Sequence, residues 1–251
     1  MTETKVLVIT GGGRGIGAAI ARKAARLGYR VAVNYQQDRA RADAVAADIV
    51  KAGGKAVAIG ADVSIAADVV RLFDEAAGQL GPVTHVVNNA GITGKSSRLD
   101  AADPETIRSC VDINVTGAIL VAREAIRRLS PRHGGMGGAI VNISSAATTI
   151  GSPGEYVWYA ASKGAIDSLT IGLAKEVAEE NIRVNAVAPG MTETEIHERS
   201  SGDGARVERI RPSIPMKRIG QPDEIADAVL YLLGDEATYI TGSILRVTGG
   251  R

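Results

Sequence analysis

Tyr159 and Lys163 stand four apart in Tyr159-Ala160-Ala161-Ser162-Lys163, inside a stretch with helical apolar spacing. Positions i and i+4 of a helix share a face, so a phenol and an ammonium placed there converge on one point. An unperturbed phenol titrates near pH 10, too high for ready proton exchange at neutral pH. Lowering that by about three units takes roughly 4 kcal/mol in favour of the phenolate, an energy that a desolvated cation nearby can supply. The pair is a candidate for moving a proton. Alone it is weak, because solvated helix faces carry such pairs too.

Other residues strengthen it. Ser145 closes Val141-Asn142-Ile143-Ser144-Ser145, at the C-terminal edge of a predicted strand, where ligands of α/β sheets bind. Its hydroxyl can donate to a carbonyl oxygen or steady an alkoxide; Ser144 is the rival for that role. Asn114 falls within a predicted helix, where asparagine is disfavoured by propensity, so it has a local bonding duty or a functional one. Asn88-Asn89-Ala90-Gly91 ends another predicted strand with a glycine suited to close approach.

These residues need elements to hold them. Short β-branched runs at 5–10, 30–34, 56–60, 83–88, 139–143, 182–187 and 244–247 predict strands. Most are near-continuous apolar runs, as expected of strands covered on both faces. Between them lie helix-length segments at about 15–27, 40–52, 67–79, 104–129, 155–179 and 222–233. Gly28 sits where the first helix needs a C-terminal cap, and Asp103 before Pro104 reads as an N-cap with proline at the first helical position. Strand–helix alternation predicts a parallel sheet with right-handed crossovers, a doubly wound α/β fold in one domain over 1–251. The stretch at about 191–220, charged and holding Gly202, Gly204, Pro212 and Pro215, reads as a lid.

Directly after the first strand comes Thr10-Gly11-Gly12-Gly13-Arg14-Gly15-Ile16-Gly17. Glycine permits positive φ in a tight turn, and its missing side chain lets a pyrophosphate reach backbone N–H groups at a helix N-terminus. The key glycines, Gly11, Gly15 and Gly17, depart in spacing from G-x-G-x-x-G. An acid about 20 positions on would bond an adenosine ribose diol and repel a 2′-phosphate. Asn34-Tyr35-Gln36-Gln37 occupies that place, and the first acid, Asp38, comes later. Arg14 in the turn could reach a phosphate. NADP(H) is therefore favoured over NAD(H), which stays open. Asp62 and Val63, just past the third strand, are candidates for holding an adenine ring; a plain helix N-cap is the alternative for Asp62.

The 251 residues carry 29 basic and 28 acidic side chains, for a net charge of +1, too little to favour nucleic acid or an anionic membrane. One cysteine, Cys110, suits a reducing compartment. With neither a signal-like start nor a run of about 18 apolar residues, a soluble cytoplasmic protein is expected. G-x-S-x-G is absent and His85, His133 and His197 are scattered, which argues against a serine hydrolase and against a metal site.

Over nearly its whole length the chain resembles the short-chain dehydrogenase/reductase family, near the branch of 3-oxoacyl-(acyl-carrier-protein) reductases and glucose 1-dehydrogenase-like proteins. The residues that carry the resemblance are Thr10 through Gly17, Asn88 to Gly91, Asn114, Ser145, Tyr159 with Lys163, and Pro189-Gly190. The resemblance implies a seven-stranded Rossmann-like sheet, Tyr159 as acid/base and Ser145 polarising a substrate carbonyl. It implies that Lys163 binds the nicotinamide ribose, that Asn114 holds a relay water, and that Pro189, Gly190, Thr192 and Thr194 line the nicotinamide end. It further implies a cofactor cradle of Gly11, Arg14, Gly15, Ile16, Gly17, Tyr35, Asp62, Val63, Asn89, Ala90 and Gly91, and a homotetramer or homodimer built through the helices bearing Asn114 and Tyr159. A catalytically silent dinucleotide sensor of the same fold is the competing reading; retention of the Tyr–Lys pair argues against it.

Two departures stand out. Ser145 and Tyr159 are one residue further apart than in many members, and Thr248 stands where the family often has Asp. In the lid, Glu193, Glu195, His197, Glu198 and Arg199 hint at a hydroxylated small molecule, or simply make a solvated surface. Arg127, Arg128 and Arg132 could meet an acidic carrier, or complement a helix C-terminus. Tyr156 and Trp158 read as packing residues.

Overall fold

A computed structural model describes residues 4–195 and 206–251. His197, Glu198, Arg199, Gly202 and Gly204 of the expected lid lie outside the described residues. The seven strands are β1 (Val6–Ile9), β2 (Arg30–Tyr35), β3 (Lys55–Gly60), β4 (His85–Asn88), β5 (Gly138–Ile143), β6 (Ile182–Pro189) and β7 (Ile244–Val247). They form one parallel sheet in the order β3-β2-β1-β4-β5-β6-β7.

Both faces of the sheet are covered, which explains the unbroken apolar runs. Leu7 and Ile9 of β1 point into a core shared with α1 (Gly15–Arg26) and α2 (Arg39–Lys51). Val6 and Val8 point the other way, towards α3 (Ala66–Leu80). Successive strand residues thus feed opposite layers. Asp103 caps α4 (Pro104–Val111), its carboxylate accepting from Glu105 N–H at 3.2 Å, and Gly28 follows α1 with φ +88°.

The predicted helix 104–129 is interrupted. A π-helical turn, Asp112–Gly117, separates α4 from α5 (Ala118–Leu129). Such turns insert a residue into the i→i−4 ladder and occur often at functional sites. A short α6 (Ala147–Ile150) precedes α7 (Val157–Glu176), which starts two residues later than expected and ends three earlier. Then come α8 (Arg206–Ile210) and α9 (Pro222–Leu233). The chain turns from β1 to β2 and β3 on one side, then returns to place β4 on the other side of β1. That reversal leaves a crevice beyond the C-terminal ends of β1 and β4.

Candidate active site

The crevice opens into a cleft of about 1330 Å³. Ordinary small-molecule pockets run to roughly 300–1,000 Å³, so this one has room for a dinucleotide and a second small molecule. All the expected cofactor residues line it, and so do Ser145, Tyr159 and Lys163. Asn114 does not.

At the β1 end the glycine turn is packed closely against the β4 end. A Cβ on Gly17 would stand 2.5 Å from Gly11 O and 2.7 Å from Asn89 Nδ2, so only glycine fits. Gly11 and Gly15 adopt φ +62° and +50°. Thr10 Oγ1 accepts from the N–H groups of Asn89 and Ala90 at 2.9 and 3.0 Å, tying the turn to β4. Asn34 Oδ1 accepts from Gly11 N–H at 3.2 Å while its Nδ2 donates to Ala61 O at 3.0 Å. The N-terminus of α1 has no side-chain cap and no acid in its first turn, so its N–H dipoles face the cleft available to an anion. Further along, a Cβ on Gly91 would fill space 3.3 Å from Asn114 Oδ1 and 3.4 Å from Lys163 Nζ. Uncapped helix start, side-chain-free wall and long cleft together fit a dinucleotide.

Beyond β2 the acids are engaged. Asp38 caps α2 through Arg41 N–H at 3.2 Å and pairs with Arg41 Nε at 3.1 Å. Asp62 accepts from Ser64 N–H and Oγ–H at 2.9 and 2.6 Å and from Gln36 Nε2 at 2.6 Å. Burial works against its charge, but the bonds from Ser64 and Gln36 prevail and hold the carboxyl below its usual range. Arg39 and Arg41 line the cleft beside Arg14, and sequence reasoning missed both. Nothing in the charged run of α2 distinguishes them from solvated helix residues. Arg41 pairs across the cleft mouth with Glu195.

At the β5 end, Lys163 Nζ, 4% exposed, donates to Ile143 O at 2.7 Å. Burial takes its pKa from 10.5 down to about 8, against small opposing effects of Cys110 and Asp167. Tyr159, one turn away, has the ammonium 5.8 Å from its ring centroid. Burial pushes its phenol up to about 12, although a hydrogen bond with Ser145 works the other way. Burial thus sets the direction of the phenol's shift, opposite to the lowering expected from Lys163. Ser144 and Ser145 are separated by orientation: Ser144 donates to Asp167 on α7, while Ser145 faces Tyr159 and accepts from Ala147 N–H at 3.1 Å.

Asn114 is 1% exposed, and its side chain is fully employed. Oδ1 accepts from Ile92 N–H at 2.8 Å; Nδ2 donates to Ile92 O at 2.8 Å and to Ser162 Oγ at 3.0 Å. It clasps the segment after β4 to α7, the helix that bears Tyr159.

The other expectations divide. Glu193 accepts from Gln221 Nε2 at 2.6 Å and Glu195 pairs with Arg41, so neither lid acid is held ready for a substrate. Arg127 and Arg128 pair with Glu124, and Arg132 with Glu180 at 3.0 Å. Tyr156 and Trp158 are both buried and pack in one cluster with Cys110; Trp158 Nε1 donates to Thr93 O at 2.8 Å, and Tyr156 also borders the cleft. Glu155 and Arg206 also line the cleft. No spacing or composition signal marks that pair, since its members lie on separate elements.

A seven-stranded parallel sheet with this cleft at its reversal point is a Rossmann-like fold, in which dinucleotides bind at that place. The chain belongs to the short-chain dehydrogenase/reductase family: the family model described as enoyl-(acyl carrier protein) reductase matches residues 11–251. It is 48% identical to the uncharacterized oxidoreductase YgfF of Escherichia coli K12, over 98% of this chain and 99% of that protein. Glucose 1-dehydrogenase 2 of Bacillus subtilis is 37% identical, over 98% of this chain and 94% of the relative. Among solved structures, a Burkholderia cenocepacia short-chain dehydrogenase in complex with NADP superposes with a TM-score of 0.90 at 35% identity, covering 98% of this chain and 97% of the other. A Brucella melitensis 3-ketoacyl-(acyl-carrier-protein) reductase complexed with NADH also reaches 0.90, at 36% identity, covering 99% and 98%.

Proposed function

We propose that this chain is an NADP(H)-preferring oxidoreductase that interconverts a carbonyl and an alcohol on a small molecule, with Tyr159 as acid/base. One observation carries the reading: the Tyr159 hydroxyl, bonded by Ser145 and one helical turn from the buried Lys163 ammonium, faces a cleft lined by the glycine turn. The dinucleotide, when bound, supplies or accepts the hydride and in its oxidised form carries a positive ring. The chain's own residues manage the oxygen and its proton.

Ser145 donates to the carbonyl oxygen and orients it towards Tyr159. Tyr159, pushed up to about 12, carries its proton throughout the neutral range. It gives that proton to the substrate oxygen, whose basicity as a nascent alkoxide exceeds that of a phenolate. Lys163, charged below about pH 8, steadies the phenolate left behind and reaches the ribose side of the cleft past Gly91. Asn114 holds Ile92 and Ser162 in register and acts through that placement. In the reverse direction Tyr159 must first lose its proton, so neutral pH favours reduction in the chain's own electrostatics.

Preference for the 2′-phosphate is supported by Arg14, Arg39 and Arg41 at the adenosine end and by the engagement of Asp38 as a helix cap. Gly11, Gly15, Ile16 and Gly17 hold the pyrophosphate. Asp62 and Val63 flank the adenine with Tyr35 nearby, and Asn89, Ala90 and Gly91 border the ribose. Pro189, Gly190, Thr192 and Thr194 frame the nicotinamide end. A cytoplasmic single domain over 1–251 belongs to the same reading. So does assembly as a homotetramer or homodimer, supported by exposed Val111, Ile119 and Ile171 on α4, α5 and α7.

The test follows NADPH absorbance against sugars, β-ketoesters and diketones, in wild type and Tyr159→Phe. The variant should lose at least about a hundredfold in turnover, within the range of general acid–base catalysis, while NADPH binding stays nearly intact. Substantial residual activity refutes Tyr159 as acid/base. NADPH binding without turnover on any of the panel in wild type favours the sensor reading.

A further inference from the structure

Arg206 opens α8, far in sequence from the catalytic helix, yet is only 4% exposed. Charged side chains are almost never buried so deeply unless paired. Arg206 grips Glu155 with two prongs, Nε to Oε1 at 3.0 Å and Nη2 to Oε2 at 2.7 Å. Nη2 also donates to the Tyr156 hydroxyl, and the guanidinium lies 5.3 Å from the centre of that ring. The Glu155 carboxyl is held below its usual range, first by the hydrogen bonds from Arg206.

What Arg206 grips stands next to the reacting group. The Tyr156 ring meets Tyr159 edge-on, with centroids 5.5 Å apart and planes at 87°. Behind it, Tyr156 packs in one cluster with Cys110 and Trp158. Glu155 O accepts from Ser97 N–H at 2.8 Å, which fixes the backbone on the far side. Tyr156 is thus held from three directions, and although only 7% exposed it borders the cleft together with Tyr159.

We propose that Arg206 is a positioning residue that sets substrate specificity: clamped onto Glu155 and Tyr156, it fixes the Tyr156 ring against Tyr159 and limits the width of the substituent beside the reacting carbonyl. The substrates are carbonyl compounds with one narrow substituent on that side. The proposal rests on Tyr159 being the acid/base. A planar guanidinium fork suits the task, because it bonds two partners in fixed directions where a lysine offers a point charge. The buried pair is also mutually dependent, since removing one member leaves an uncompensated charge.

The experiment measures kcat/KM with NADPH for matched methyl and phenyl ketones in wild type, R206M, R206K, E155Q and the double variant R206M/E155Q. R206M should shift the ratio of wide to narrow substrate upward by at least about tenfold, the scale on which pocket size discriminates. The shift should arise mainly in KM, with kcat for the narrow ketone kept within about threefold. E155Q should act alike, the double variant should add little to either single one, and R206K should restore part of the selectivity. Trp158 is the single tryptophan of the chain, and quenching of its emission by acrylamide should rise in R206M. An unchanged ratio with unchanged quenching overturns the proposal and leaves Arg206 a stabilising residue, whatever the melting temperature does. Equal loss of NADPH affinity in the variants overturns it too, since Arg206 would then act through the cofactor. No turnover by wild type, with quenching raised in R206M, refutes the oxidoreductase reading while upholding the clamp on Tyr156.

Discussion

Replacing Lys163 with Met should abolish turnover and yet make the cofactor-free protein more stable at neutral pH. Burial takes the ammonium from its usual 10.5 down to about 8, so keeping the charge in the folded chain costs about 3 kcal/mol at about 1.36 kcal/mol per unit. Methionine removes that cost and fills similar space. It also leaves Ile143 O without the 2.7 Å bond it now accepts, a loss of about 1–2 kcal/mol. The balance is a gain of about 1–2 kcal/mol, or roughly 3–6 °C in melting temperature for a chain of this size. The sign with pH follows from the direction of the shift. Between about pH 8 and 10.5 the unfolded chain holds one proton more at this site than the folded chain, so wild-type stability rises with pH there. The variant lacks that rise. Thermal melts of both proteins from pH 6.5 to 10.5 should show an advantage for Lys163→Met at pH 7 that shrinks above pH 8 and vanishes or reverses near 10.5. A variant that is less stable at pH 7, or a difference independent of pH, would refute the account of Lys163 as a destabilised cation retained for chemistry.

The same values set the pH dependence of activity. Reductive kcat/KM should be flat through neutrality and fall above about pH 8 as Lys163 loses its charge, whereas alcohol oxidation should climb with pH because Tyr159 resists deprotonation; opposite trends in pH–rate profiles would contradict these assignments. Arg14→Ala should weaken NADPH far more than NADH in binding titrations, and equal loss for both would remove Arg14 from phosphate recognition. At the other edge of the sheet, burial holds His85 near 4, with Lys5 and Arg183 adding to the effect and Asp235 opposing it. Below its usual 6.5 the unfolded chain takes up a proton that folded His85 refuses, so about 3 kcal/mol of stability should be lost as pH falls from 6.5 to 4. His85→Gln should flatten that part of the acid melt; an unchanged acid profile would refute it.

The sequence by itself determined the layers and named most of the residues that the fold brings to one cleft. Apolar runs too continuous for a one-sided sheet required helices on both faces. A glycine turn between strand and helix pointed to the crevice, and helical period put Tyr159 and Lys163 on one face, a pair that gained weight only from Ser145 and the glycine turn. Each of these signals is local, written within one element or one turn. Tertiary structure decided whatever depends on contact between distant segments. The interruption at Asp112–Gly117 belongs there, since Asn114 is drawn to Ile92 and Ser162 on other elements. So does the difference between Ser144 and Ser145: Asp167 on α7 takes the Ser144 hydroxyl, and Ser145 is left facing Tyr159. The phenol's rise to about 12 was equally illegible, because desolvation is a property of packing and not of a neighbouring letter. The grip of Arg206 on Glu155 and Tyr156, some fifty positions away, is the clearest case: a lone arginine in a polar stretch acquires its role only when folding strips away its water and presents partners in its place.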